Sequence, residues 1–252
     1  MLRVYLSGQM TVENGGAVLH SKDFPGRQGR EAFAFLAERR AELVPRSALA
    51  DALWPRDLPA SWETSLSSIV SKLRSLLGRV GLDGSSTLAS GDGCYLLRLP
   101  TGTWIDHEIA TDSIHEAEAA LKAGEPRRAY GPSAIAHHIA RRPFLPGADA
   151  PWIDLQRNRL EDILIRALEC RAEVYLWNDE PTLAVEAASE VVAQRPFRES
   201  GYRLLMRAHA AAGNAAVALR VYEECRSLIS EELGVSPSKE TRAVHTELLE
   251  SL

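Results

Sequence analysis

The chain has 252 residues, 45% of them hydrophobic and 25% charged, which is enough for two ordinary globular domains, each with its own core. No apolar run reaches the ~18 residues that a membrane helix needs, and the first ten residues lack the pattern of a signal peptide. We therefore expect a cytoplasmic protein with no membrane partner. Cys94, Cys170 and Cys225 are too widely spaced for a disulfide framework or a zinc site, so they are interpreted as reduced thiols, and no cofactor or metal is expected.

The net charge of −5 is unevenly distributed. Residues 1–100 carry 12 Lys and Arg against 10 Asp and Glu, a net charge of +2, whereas the remainder carries 17 against 24, a net charge of −7. A nucleic acid would therefore bind to the N-terminal part, and the acidic C-terminal part is left for other partners.

The N-terminal hundred residues begin with strand signals and continue with helices. Residues 2–6 and 18–20, with Gly15-Gly16 as a turn before the second segment, predict a small hairpin sheet. Apolar residues at helical spacing then predict a helix over about 29–40, which ends before Pro45. A second, short helix follows between Ser47 and Pro55.

The strongest helical pattern of this half is SWETSLSSIVSKLRSLLG. Its apolar stripe is formed by Leu66, Ile69, Val70, Leu73 and Leu77. The opposite face presents small hydroxyls with basic flanks, namely Thr64, Ser68, Ser71 and Ser75 beside Ser67, Lys72 and Arg74. Hydroxyls suit base edges or phosphates, and the basic side chains can neutralise phosphates. For an isolated helix, a serine-rich solvated face is the alternative interpretation.

An apparent hairpin completes this half, with strands at 86–89 and 95–99 around the turn SGDG. Strands, three helices and a terminal hairpin are the parts of a winged helix-turn-helix. The strings LADALWP, VSKLRSLL and GCYLLRLP resemble the winged-helix domain of response-regulator-type transcription factors, as it occurs in the actinobacterial antibiotic-regulatory-protein activators. The resemblance implies that the third helix enters the major groove of double-stranded DNA and that the hairpin touches the neighbouring backbone. By position it implies DNA contacts from Thr64, Ser67, Ser68, Ser71, Lys72 and Arg74, with Arg98 near the wing.

Beyond residue 106 the sequence is rich in Ala, Leu and Glu and repeats with a period of 34 residues. Val174, Asp179 and Ala184 match Ala208, Gly213 and Ala218, and a less regular third copy is formed by Ala119, Gly124 and Ala129. This period is typical of tetratricopeptide-like helix pairs, which we place near 106–140, 153–195 and 198–232, with a closing helix at about 238–251.

The segment RPFRESGYRLLMRAHAAAGNAAVALRVYEECRSLISEELGVSP resembles the bacterial transcriptional activation domain that follows the winged helix in the same activators. The predicted fold is therefore mainly α with small β elements. A winged-helix DNA-binding domain over 1–104 is followed by an all-α tetratricopeptide-like domain over 105–252.

No phosphate-binding loop or nucleophile motif is present, so no enzymatic activity is expected. The leading hypothesis is a promoter-binding activator that positions RNA polymerase through the loop Pro55 to Trp62 or through the repeat domain, with genes of secondary metabolism as the targets that the resemblance suggests. A homodimer and a small-molecule effector in the repeat domain stay open. The alternative is a protein-interaction adaptor whose winged helix does not read DNA.

Overall fold

The computed structural model describes residues 1–250 as two compact units. The first unit holds residues 1–109 and 139–160, and the second holds residues 110–138 and the described residues from 161 onward. The compact units do not follow the predicted domain boundary at residue 104, since the first unit also includes residues 139–160. Where the DNA-binding domain itself ends stays a prediction. None of the helices within residues 1–250 has both the length and the apolar composition to span a bilayer.

The first unit contains two small sheets and four complete α-helices, with a short 3₁₀ helix at Ser21–Asp23. Its strands are β1 (Arg3–Tyr5), β2 (Thr11–Asn14), β3 (Ala17–His20), β4 (Val44–Pro45), β5 (Leu88–Gly91), β6 (Cys94–Leu97) and β7 (Trp104–Ile105). Its helices are α1 (Gly26–Glu38), α2 (Arg46–Leu53), α3 (Trp62–Gly78) and α4 (Gly84–Thr87). One sheet has the order β3-β2-β1-β7, with β7 parallel to β1, and the other has the order β4-β6-β5.

The three predicted helices of this half are present, and their ends lie within a few residues of the predicted ones. Two details differ. A strand over Thr11–Asn14 was missed on the near side of the Gly15-Gly16 turn. The predicted hairpin strand from residue 86 is instead helical until Thr87, because the Asp83 side chain accepts a hydrogen bond from the Ser86 amide at 2.6 Å and caps a short helix there.

Residues 139–160 complete the core of the first unit. The fully buried Phe144 forms a β-bridge pair with Ser7, and the Trp152 ring packs edge-on against Phe35 at a centroid distance of 5.2 Å. The indole nitrogen of Trp152 donates to the carbonyl of Ala52 at 3.2 Å. Residues 139–160 therefore pack against α1 and α2, although they lie about a hundred positions further along the chain.

A buried polar cluster lies beside this core. One oxygen of the Asp106 carboxylate accepts hydrogen bonds from the amides of Leu6, at 2.9 Å, and Ser7, at 2.8 Å. The imidazole of His107 lies 3.0 Å from the buried carboxylate of Glu38. Burial opposes protonation of His107, but hydrogen bonding to Asp106 and the charge of Glu38 outweigh it and raise the pKa of His107. Polar contacts therefore connect the first sheet, α1 and the residues after β7.

The described residues of the second unit form helices joined by short non-helical segments. The helices that run through or within it are α5 (Asp106–Lys122), α6 (Pro126–Ala140), α7 (Pro151–Trp177), α8 (Pro181–Gln194), α9 (Glu199–Ala211), α10 (Ala215–Leu233) and α11 (Lys239–Glu250). The borders between the two units fall inside α5, α6 and α7. Within the second unit, α9 packs against α8, α10 and α11.

The turns between paired helices repeat one geometry. Gly124, Asp179 and Gly213 each have a left-handed backbone, with φ of 73°, 61° and 75°. The three hydrogen bonds around Gly124 recur around Asp179 and Gly213 with the same residue offsets. The 34-residue register is therefore confirmed for the last two copies, and the first copy shares the turn geometry although its turn lies 55 positions before Asp179. Ala119 is exposed and its neighbour Ala120 is buried, so the predicted packing role of Ala119 in the first copy was wrong by one position.

Candidate nucleic-acid interface

Helix α3 separates an apolar side from a hydroxyl-rich side. The side chains of the predicted stripe are buried and pack α3 into the first unit against α1 and α2. The residues of the predicted contact face are exposed, namely Thr64, Ser67, Ser68, Ser71 and Lys72. The face is therefore free to meet a ligand, with one cation and several small groups that donate and accept hydrogen bonds.

The hairpin formed by β5 and β6, residues 88–97, is called the wing below. Its strands pair antiparallel from Leu88 with Leu97 to Gly91 with Cys94, and the two-residue turn between them is Asp92-Gly93. Asp92 and Gly93 both have positive φ, of 51° and 72°, as a type I′ turn requires. The sequence SGDG therefore fixes the hairpin register locally.

Arg74 connects α3 to the wing. Its Nε donates to the carbonyl of Leu88 at 2.8 Å, and a terminal guanidinium nitrogen donates to the hydroxyl of Ser90 at 2.9 Å. These two bonds fix the position of β5 relative to α3. The predicted phosphate contact of Arg74 stays a prediction, and the guanidinium also lines the space beside the wing.

A gap of about 310 Å³ separates α3 from the wing, and Arg46 lies in it. The Arg46 guanidinium donates to the hydroxyl of Ser67 at 2.9 Å and lies 5.8 Å from the ring centre of Tyr95. Its buried Nε has no hydrogen-bond partner within the described chain. Two guanidinium groups thus line one gap. A phosphate oxygen bound there could accept hydrogen bonds from them.

Arg46 could not be predicted from local patterns, because its partners Ser67 and Tyr95 lie 21 and 49 positions further along the chain. Arg98 is exposed and follows β6 at the end of the wing opposite the Asp92-Gly93 turn, where its amide donates to the carbonyl of Thr87 at 2.7 Å. The tip of the wing therefore has no basic side chain of its own, and Arg98 is placed at its base.

The close contact between α4 and α3 leaves no room for a side chain at Gly84. A Cβ atom at Gly84 would lie 2.2 Å from the backbone carbonyl oxygen of Arg74, which cannot move without displacing α3. We expect Gly84→Ala to lower the free energy of unfolding of the first unit by about 1–3 kcal/mol through overpacking. Gly78→Ala is the matched control, since nothing lies within 4 Å of a Cβ there. Equal urea midpoints for the two variants would contradict this packing.

Together, the three-helix arrangement, the wing and the exposed face of α3 define a winged helix-turn-helix. The family model described as the bacterial transcriptional activator domain matches residues 105–249. The chain belongs to this family.

The relatives agree with this assignment, and one solved structure shows the same fold. The chain is 30% identical, over 98% of its length, to the regulatory protein AfsR of Streptomyces griseus, of which it spans 24%. It is 29% identical, over 84% of its length, to the regulatory protein DnrI of Streptomyces peucetius, of which it spans 80%. The structure of Mycobacterium tuberculosis EmbR, solved in complex with a low affinity phosphopeptide, matches 99% of this chain and 65% of its own with a TM-score of 0.86 and 24% identity, and so shows the same fold.

Proposed function

We propose that this protein is a sequence-specific DNA-binding transcriptional activator without enzymatic activity of its own. The observation that carries the proposal is the exposed face of α3 beside a gap lined by two guanidinium groups, Arg46 and Arg74. In the proposed complex, Thr64, Ser68 and Ser71 face the base edges in the major groove, and the basic side chains around them contact the DNA backbone.

The roles of individual side chains follow from their present contacts. Lys72 is exposed and contacts a phosphate of the DNA backbone. Arg46 and Ser67, which are already hydrogen-bonded to each other, hold a second phosphate in the gap. Arg74 positions the wing, and Arg98 contacts backbone next to the base of the wing.

In this proposal the protein activates transcription by contacting RNA polymerase. The loop between α2 and α3 is largely exposed and includes Leu58, a large apolar residue that is 43% exposed. The repeat unit offers a second surface, because stacked helix pairs leave faces that bind proteins. The regulatory relatives support a role in transcription regulation. In the proposed promoter arrangement, two copies of the chain bind neighbouring repeats as a homodimer.

The experiment is a binding titration of the full chain on duplex DNA at several salt concentrations. Lys72→Ala and Arg46→Ala should each weaken binding to every duplex by about tenfold and lower the salt slope by about 1, because each removes one phosphate contact. Arg220→Ala, an exposed cation on α10, is the charge-matched control and should bind like the unaltered protein. Unchanged affinity and slope in both test variants, or no binding by the unaltered protein, would favour the protein-interaction adaptor instead.

A further inference from the structure

A second concave site lies in the first unit and shares no lining residue with the gap beside the wing. It is a cleft of about 410 Å³, within the range of small-molecule sites. Its walls come from the turn before β2, the segment between β3 and α1, the first turns of α1 and residues 145–148. The winged-helix function proposed above does not use any of these residues.

The cleft concentrates positive charge. Lys22, Arg27 and Arg30 all line it, and neither Lys22 nor Arg30 has an ion-pair partner within the described residues. The N-terminus of α1 adds to this charge, because its N-cap is Pro25, which supplies no side-chain hydrogen bond to the first amides of the helix. A helix N-terminus beside three cations is the environment that phosphate groups prefer in proteins.

One anionic group lies among these cations. The Glu31 carboxylate lines the cleft although its side chain is only 3% exposed, and burial raises its pKa. Its Oε1 accepts no hydrogen bond within the described chain, and the Nε of Arg27 lies 3.4 Å away. A buried carboxylate oxygen without a hydrogen bond is costly unless a ligand donates one.

The wall formed by residues 145–148 is held in place from behind. The Arg157 guanidinium donates to the carbonyls of Phe144, Leu145 and Ala148 at 3.2, 3.1 and 2.8 Å. Leu145 keeps a left-handed backbone, with φ of 40°, which is unusual for a branched side chain. The cleft is therefore preformed on this side, which lowers the entropic cost of binding a ligand.

We propose that this cleft binds a small phosphorylated metabolite whose phosphate contacts Lys22, Arg27 and Arg30 and whose ammonium or hydroxyl group donates a hydrogen bond to Glu31. The volume suits a molecule the size of a sugar phosphate. The site gives the first unit a ligand of its own, separate from the DNA surface.

The test is isothermal titration of the full chain with glucosamine 6-phosphate, glucose 6-phosphate, glucosamine and inorganic phosphate. Both sugar phosphates should bind saturably and more tightly than inorganic phosphate, and glucosamine alone should bind most weakly. Arg27→Gln and Arg30→Gln should each weaken sugar phosphate binding about tenfold, because each removes a charge-assisted contact. Arg220→Gln is the control with the same change of net charge, placed in the second unit.

Glu31→Gln tests the contact between the Glu31 carboxylate and the ammonium group of the ligand. Glucosamine 6-phosphate should bind more weakly because its ammonium group loses the carboxylate, whereas inorganic phosphate should bind at least as tightly as to the unaltered chain because a negative charge beside the cations is removed. If Glu31 only pairs with Arg27, both ligands should bind more tightly. No saturable binding of either sugar phosphate, or unchanged affinity in both arginine variants, would overturn the proposal. A duplex DNA that displaces the bound sugar phosphate would also overturn it by assigning these cations to DNA, whereas independent binding of both supports two separate sites.

Discussion

Replacing Ala218 by glutamate is expected to unfold the second unit. Ala218 is fully buried on α10 and belongs to the main core cluster of that unit, together with Val221, Tyr222 and Cys225. Glutamate there would be overpacked, and its charge would be buried without a partner. The cost should be roughly 3 kcal/mol or more, a large fraction of the stability of an ordinary domain. Far-UV circular dichroism should show a large loss of helix at temperatures where the unaltered chain is folded.

The matched control is Ala216→Glu, two positions earlier on the same helix, where the side chain is exposed. It should keep the helical signal and the melting temperature of the unaltered protein. An unchanged melting temperature for Ala218→Glu would mean that this face of α10 is solvated and that the repeat register is misplaced. In a promoter reporter, Ala218→Glu should reduce activation to background and Ala216→Glu should not.

Replacing Asp106 by alanine is expected to destabilise the first unit strongly. Asp106 is 2% exposed, and its loss leaves the buried amides of Leu6 and Ser7 without an acceptor. Each buried unpaired amide costs about 1–3 kcal/mol, so we expect a loss of about 3 kcal/mol in the free energy of unfolding. Four of the five tryptophans lie in the first unit, so the tryptophan fluorescence midpoint in urea measures this unit.

Asp106→Asn distinguishes the hydrogen bonds from other effects of the substitution. The amide oxygen of asparagine can still accept from Leu6 and Ser7, whereas its amino group cannot accept the bond that the His107 backbone N–H donates to Asp106. A smaller shift than that of Asp106→Ala is therefore expected. Equal midpoints for Asp106→Ala and the unaltered protein would show that these amides are satisfied in another way.

Local patterns in the sequence predicted much of the fold. The apolar stripe of α3 and the Asp92-Gly93 turn were predicted because helical periodicity and positive φ are properties of neighbouring residues. The register of the last two copies was predicted for the same reason, since small residues and a turn residue recur at a spacing of 34. The first copy departs from it, both in its longer spacing and in the exposed Ala119.

Contacts between distant parts of the chain could not be predicted in this way. Nothing in the local sequence of residues 139–160 indicates that Trp152 packs on Phe35, and Asp106 reaches its amide partners across about a hundred residues. The same limit applies to the candidate site. Its exposed hydroxyl face was predicted from helical geometry, whereas the role of Arg46 and the bonds from Arg74 to the wing depend on tertiary packing.

The central claim is that α3 reads DNA, and selection of duplexes from a random-sequence library by the full chain tests it most directly. We expect one enriched motif whose affinity falls steeply with salt. Ser68→Ala or Ser71→Ala should change the selected motif, whereas Lys72→Ala should keep the motif and weaken binding. No enriched motif, or a motif and a salt slope unchanged by all three substitutions, would contradict it.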